Sequence, residues 1–440
     1  MREDQRVQVS RIGRSRASFV LFVAITLGIS IATVWHYSSS PQFGLFTLSN
    51  LVGPTVQSLL AGRGLSVCTE SMGTPGNPIC FQAARMPMAS LIVALGVRLF
   101  GEDALRVSVL KTALTLVPLY AGVYLAWRKL PHSGVRRLAI PLVLIAPFGI
   151  TVFLSDVRLM QVEEGYSYSL LAFAVAVLLF ATQPAMRSGL LLAASFGASV
   201  AGLYLAKSSM LPLVIALVAI YCVSERRWEA RAIVVGVVIM APICWALHQH
   251  HASGRYSIGT SLDGLNLHKG NNPEFLGHYP PRPGHSLDDF DGDLNRGQNF
   301  ADEWSFDDFH RRAGIDYIRT HLPTTLHGDG RKLWILLFSV HKYGSSEVAG
   351  TVALVEVAGL VLFRVLQWTA LVGAIYWLCV GDGSRRIAGG TFLAVVAAYV
   401  LPYFVGFAYT RHASVLIYPS ALMCCRLLVD ETLDGSATPS

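Results

Sequence analysis

Three acids, Asp156, Glu163 and Glu164, fall close together between two apolar runs, and Glu70 is the only acid between Tyr37 and Leu99. An ionised carboxylate accepts hydrogen bonds and can take the proton of a hydroxyl, and acids at a membrane boundary are expensive unless they have a task. The plainer alternative is a hydrated turn marked by Asp156 and Arg158. Lys207 interrupts the apolar runs 189–204 and 211–223, while Arg411 and His412 separate 389–407 from 413–428. Cations in such places can hold an anion, a guanidinium doing so bidentately, or can anchor helix ends, Lys207 by snorkelling. Asn271 and Asn272 offer amides to hydroxyl groups, with an ordinary Asn-Pro turn as the alternative. The outer loops show no metal-ligand spacing, neither closely paired cysteines nor a His-x-x-x-His face.

These groups must be positioned by membrane helices. Of 440 residues 53% are hydrophobic and 14% charged, against roughly 25% charged in an ordinary soluble domain, which excludes a conventional soluble globule. Apolar stretches lie at 17–35, 106–126, 138–154, 170–185, 189–204, 211–223, 232–247, 355–380, 389–407 and 413–428. The sequence therefore predicts an all-α, polytopic integral membrane protein with about ten transmembrane helices, periplasmic juxtamembrane helices and one larger periplasmic loop. Arg2, Arg6, Arg11, Arg14 and Arg16 precede the first stretch, and His36 and Tyr37 give no small-x-small cleavage site after it, so a retained signal anchor with a cytoplasmic N-terminus is expected. Alternation then places Arg128, Lys129, Arg136, Arg137, Arg187, Arg385, Arg386 and Arg426 inside, as the positive-inside rule requires. The net charge of +7 is thereby sorted by side and implies no nucleic-acid partner.

The expected organisation is a basic cytoplasmic segment 1–16, a membrane domain 17–248 with outer loops 37–105 and 155–169, a large outer loop 249–354 with an interfacial helix, C-terminal transmembrane helices 355–428, and a cytoplasmic tail 429–440. The apolar stretch 88–100 would make only roughly 20 Å of helix, short of the hydrocarbon thickness, and is read as interfacial. A helix is expected over 304–322, and 332–338 is read as lying along the membrane surface. The acidic run from Asp288 to Asp308 lacks the spaced bidentate Glu of a calcium loop and reads as solvated. Tyr166, Tyr168, Trp334, Tyr343, Tyr403 and Tyr409 read mostly as interfacial anchors. Cys68 and Cys80 share the first outer loop, where a disulfide and two free thiols are both open.

The order Gly62-Arg63-Gly64, Arg85-Met86-Pro87, Arg98-Leu99-Phe100-Gly101, then Lys207-Ser208-Ser209, Gly270-Asn271-Asn272-Pro273, Tyr317-Ile318-Arg319 and Tyr409-Thr410-Arg411-His412 spans nearly the whole chain. It resembles the GT-C-type glycosyltransferases that use polyprenyl-phosphate-linked sugars, such as protein O-mannosyltransferases and the aminoarabinose transferase of lipid A. The resemblance implies a polyprenyl-phosphate sugar donor, a glycan, lipid or protein acceptor, and a place in the bacterial inner membrane. It also implies that 51–61 and 88–100 are two juxtamembrane helices over the active site. A carboxylate would then take the acceptor proton, from among Asp156, Glu163, Glu164 and Glu70, and cations would stabilise the leaving phosphate, from among Arg85, Lys207, Arg411 and His412. Asn271 and Asn272 would meet sugar hydroxyls. The cofactor is open, a divalent cation being the one such chemistry admits.

One departure stands out. The family's first outer loop usually carries an Asp or Asp-Glu pair about a dozen residues before the Gly-Arg-Gly, whereas here Phe46-Thr47-Leu48-Ser49-Asn50-Leu51 contains no acid. Competing functions are therefore a polysaccharide polymerase or ligase, and a non-catalytic carrier-binding or transport protein of the envelope-glycan pathway. Against transport, no inverted repeat is found and the charges cluster at the outer boundary rather than the midplane.

Overall fold

Apolar stretches fold as helices in a bilayer because lipid offers no partner to a backbone N–H or C=O. A computed structural model describes residues 20–21, 23–28, 52–74, 77–128, 163–181, 189–279, 294–295, 298–340 and 351–434. Its elements are α1 (Val52–Leu60), β1 (Val67–Thr74), β2 (Asn77–Phe81), α2 (Met88–Phe100), α3 (Ala104–Trp127), α4 (Glu163–Ala176), α5 (Leu190–Ala206), α6 (Leu211–Ser224), α7 (Trp228–Ser253), α8 (Asp263–Gly270), α9 (Phe275–His278), α10 (Glu303–Thr320), α11 (Leu322–Leu337), α12 (Thr351–Val380), α13 (Gly383–Val405), α14 (Thr410–Ala413) and α15 (Ile417–Asp434). A π turn, Val177–Ala181, extends α4, and 3₁₀ turns Ser208–Met210 and Ser414–Leu416 precede α6 and α15.

Four helices among the described residues are long and apolar enough to cross a membrane: α3, α7, the Val357–Val380 part of α12, and α13. The apolar segments Gly165–Ala181, Leu190–Ala206 and Ser208–Ser224 are shorter, and the expected span 138–154 lies outside the described residues. The fold is helical but not purely so. Ahead of α2, β1 and β2 pair antiparallel, with Cys68 opposite Cys80 and the two joined in a disulfide, S–S 2.01 Å. Alternation of Val67, Ile79 and Phe81 toward Leu262, Leu265 and Phe306 gives this hairpin its own small core, which the helical reading of the loop did not anticipate.

The membrane core forms where small residues let backbones approach: a Cβ on Gly122 of α3 would lie 2.9 Å from the Phe173 Cα of α4. Over the ends of α5, α7 and α13 sits a polar layer built from the hairpin and α8 to α11. The Tyr204 hydroxyl donates to Ile258 O (2.5 Å), Trp245 Nε1 to Gly259 O (3.0 Å) and Gln249 Nε2 to Gln82 O (3.4 Å). The segment 332–338 is the last part of α11 rather than a separate helix. Its final carbonyls are bonded from α12, since Arg364 donates to Ile335 O and Leu336 O and Trp368 Nε1 to Leu337 O, and Arg364 donates also to Ser339 O just beyond the helix.

Candidate functional site

The site grows from a break in the membrane helices. α5 stops at Lys207, whose backbone turns extended (φ −157°, ψ 125°), and α6 restarts with Pro212 in its first turn, where a missing N–H costs nothing. Lys207 is half-buried, with its ammonium 5.5 Å from the ring centroid of Tyr403 on α13. Tyr403 stacks on His412 at 4.4 Å, and Nδ1 of His412 accepts the Tyr409 N–H at 3.1 Å. A neutral His412 with Nδ1 so occupied carries its proton on Nε2, as a donor. Next to it Arg411 is exposed, its guanidinium 4.8 Å over the Tyr409 ring.

The strap between α13 and α14 that carries these groups is held by its carbonyls. Lys332 Nζ donates to Phe404 O (3.1 Å), Asn271 Nδ2 to Val405 O (2.7 Å), the Tyr279 hydroxyl to Ala408 O (2.5 Å) and the Tyr399 hydroxyl to His412 O (2.5 Å). Gly270 packs so closely on Gly406 that a Cβ there would collide with the Gly406 carbonyl. Two motifs far apart in sequence, at 270–273 and 409–412, are thereby one structural unit. Asn271 spends its amide nitrogen on Val405 O and Leu267 O, leaving Oδ1 buried and without a partner. Asn272 bonds His268 O, Lys269 O and the Glu274 N–H, so its side chain shapes the turn from α8 to α9.

Arg85 is exposed on the loop after β2. That loop is pinned by Glu303, whose Oε2 accepts the N–H groups of Gln82 and Ala83 (3.0 Å each) and the Ser261 hydroxyl (2.7 Å). Burial holds the Glu303 carboxyl above the usual carboxylate range, against the pull of these donors. Ser261 N donates to Ala83 O (2.9 Å), and two residues on Asp263 accepts the Ser208 hydroxyl at 2.9 Å. A continuous set of bonds thus leads from the Arg85 loop through Ser261 and Asp263 to the Lys207–Ser208 break.

Lys207, Asn271, Arg411 and His412 are brought into one neighbourhood around the end of α13 by these ties, and the loop that carries Arg85 is tied to the same helix break through Ala83 and Ser261. Of the acids expected from sequence, Glu70 lies on β1 and Glu163 and Glu164 open α4, while Asp156 falls outside the described residues. Among the described residues no group of three His, Cys, Asp or Glu could hold a metal ion. Tyr166, Tyr168, Tyr403 and Tyr409 are buried rather than placed in an interfacial belt, whereas Trp334 is exposed and Tyr343 lies outside the described residues. The acidic run is also not uniformly solvated. Glu303 and Asp307 are buried, Asp307 accepting the Gly264 N–H at 2.6 Å and pairing with Arg311. Asp263 and Tyr403 were missed as site groups because one opens an eight-residue helix and the other ends a long apolar one, and neither position signals chemistry.

No family model matches the chain, and no curated protein matches it. Among solved structures it is similar to ArnT from Cupriavidus metallidurans in the apo state, at 14% identity over 93% of this chain and 77% of that one, with a TM-score of 0.38. It is similar also to ArnT from the same organism bound to undecaprenyl phosphate, at 10% identity over 94% and 78%, TM-score 0.33. The sequence motifs resemble the same kind of protein. At this level of likeness no residue role is carried from ArnT to this chain.

Proposed function

We propose that this protein is a membrane glycosyltransferase that moves a sugar from a polyprenyl-phosphate-linked donor to a glycan, lipid or protein acceptor. Its place is the bacterial inner membrane, with both termini cytoplasmic, about ten spans and the polar layer facing the periplasm. The observation that carries the reading is the cluster of Lys207, Tyr403, His412 and Arg411 at a break in the membrane helices. A polyprenyl phosphate joins an apolar chain to an anion, and cations at the ends of apolar helices match both parts.

In this reading Lys207, Arg411 and the Nε2–H of His412 hold the phosphate and stabilise the charge it gains on leaving, with Arg85 reaching in from the hairpin side. Asn271 meets a sugar hydroxyl with its free Oδ1, and Asn272 holds the turn beside it. The acceptor proton goes to a carboxylate, for which Glu70, Asp156, Glu163 and Glu164 are the sequence candidates. The test is transfer of radiolabelled sugar from polyprenyl-phosphate donors in membranes. Lys207→Ala and Arg411→Ala should each lower transfer by roughly 10²-fold with protein levels unchanged; full activity in both variants would sink the assignment.

A second reading, a protein that binds the lipid carrier without transferring sugar, is favoured by one feature, the lack of any acid in 46–51. Wild-type protein that binds polyprenyl phosphate and transfers nothing would establish it over the first.

A further inference from the structure

We propose that Asp263, an acid of the third outer segment, is the carboxylate that accepts the proton of the incoming hydroxyl, standing in for the acid missing from 46–51. The inference rests on the transferase reading and names a catalytic residue for it.

Position comes first. Asp263 opens α8 and accepts the hydroxyl of Ser208, the residue directly after Lys207, at 2.9 Å. It is therefore fixed at the same helix break as the cation that would hold the leaving phosphate. The other acids of the polar layer that lie near it are committed elsewhere. Glu303 is closed over by Gln82, Ala83 and Ser261, Asp307 is fully buried on Gly264 and Arg311, and Asp308 forms a fork with Arg255 at 2.8 and 2.9 Å.

Capacity comes second. Oδ1 of Asp263 accepts the Ser208 and Thr260 hydroxyls (2.9 and 2.8 Å), and Oδ2 accepts the Thr260 N–H (2.8 Å). Two carboxylate oxygens offer about four lone-pair sites, so one on Oδ2 is left. The carboxylate is half-buried, not sealed, and its neighbour is Gly259, where a Cβ would come within 2.5 Å of Oδ2. A side chain at 259 would crowd that oxygen. Three fixed donors also set the orientation of the carboxylate, which a proton acceptor in a directed attack needs.

The step balances without a co-reactant. The acceptor oxygen bonds to the anomeric carbon, the bond from that carbon to the phosphate oxygen breaks, its electron pair leaves on the phosphate, and the hydroxyl proton passes to Oδ2 of Asp263.

The experiment uses the full-length protein in detergent, with undecaprenyl phosphate as the binding probe and a panel of undecaprenyl-phosphate-linked sugars as donors. Asp263→Asn should bind undecaprenyl phosphate at least as tightly as wild type, since a negative charge near the phosphate is gone, yet transfer roughly 10² to 10⁴-fold more slowly. Transfer by Asp263→Asn at the wild-type rate would overturn the inference and leave the transferase reading standing. Wild type that binds the lipid and transfers nothing from any donor would overturn both. Should Asp263→Asn not fold, Gly259→Ala keeps the carboxylate and crowds Oδ2, and should slow transfer while leaving undecaprenyl-phosphate binding at the wild-type level. Transfer by Gly259→Ala at the wild-type rate would count against Asp263.

Discussion

Two lysines approach the end of α13 in opposite states. Lys332 is fully buried on α11, where it bonds Asp329 (2.8 Å) and Phe404 O (3.1 Å) and lies 5.1 Å over the Phe275 ring. Burial pulls its amine below the ordinary lysine value, and Asp329 holds it part of the way up. Lys207 is half-buried over Tyr403, on the side where the helices break. The first is sealed inside the fold with its counter-ion, whereas the second keeps part of its surface exposed at a helix break, beside an aromatic ring. The same contrast separates Glu303 and Asp307 from Asp263 among the acids. Charge type therefore says little about role, and the closure of the surroundings says much.

The sharpest way to break this comparison is to remove the sealed charge. Lys332→Met leaves Asp329 buried and unpaired and should cost about 3–5 kcal/mol of stability, most of it recovered in the double variant with Asp329→Leu. Thermal unfolding in detergent measures both. A Lys332→Met protein as stable as wild type would show that the pair does not hold the fold.

A smaller effect comes from the histidines of the polar layer. His310 is buried against Phe300, Phe306 and Phe309, with Nδ1 2.9 Å from His268 Nδ1 and Nε2 2.8 Å from Asn295 Oδ1. The amide oxygen only accepts, so Nε2 of His310 donates and its Nδ1 accepts from His268. Burial first, then His268 and Lys269, pushes His310 down to about 3, and burial lowers His268 as well. Folded values below the unfolded 6.5 mean that this stability is fully present above pH 6.5 and is lost as pH falls. His310 should cost up to about 1.4 kcal/mol per pH unit between pH 6.5 and 5, a slope that His310→Gln removes. An unfolding midpoint flat across that window would refute the neutral pair. Below it Glu303 and Asp307, both raised by burial, act in the opposite sense.

The smallest effect belongs to the exposed fork between Arg255 and Asp308. Arg255→Ala should cost about 1 kcal/mol or less and lose even that in high salt. A cost near that of Lys332→Met would erase the distinction between sealed and open charges.

The helices were legible in the sequence wherever apolar length alone decides them. The short stretch 88–100 appears as α2 with the same bounds, and 106–126 lies within α3. The hairpin was not legible, because β1 carries Cys68, Thr69 and Glu70 in a polar loop and gains its apolar face only from Leu262, Leu265 and Phe306. Among site groups, Lys207, Arg411 and His412 could be picked out because a charge between apolar runs is conspicuous. Asp263 could not, since an acid at the start of a short polar helix is ordinary.

The sequence by itself determined a helical membrane chain, the break at Lys207 and the supply of cations, because hydropathy and charge act over neighbouring residues. Only the tertiary structure decided that 270–273 holds the strap before Arg411, that Tyr403 stacks on His412, and that Asp263 meets Ser208. Those contacts join residues from nine to more than a hundred positions apart, and their geometry depends on how several helix ends pack at once, which no local pattern encodes.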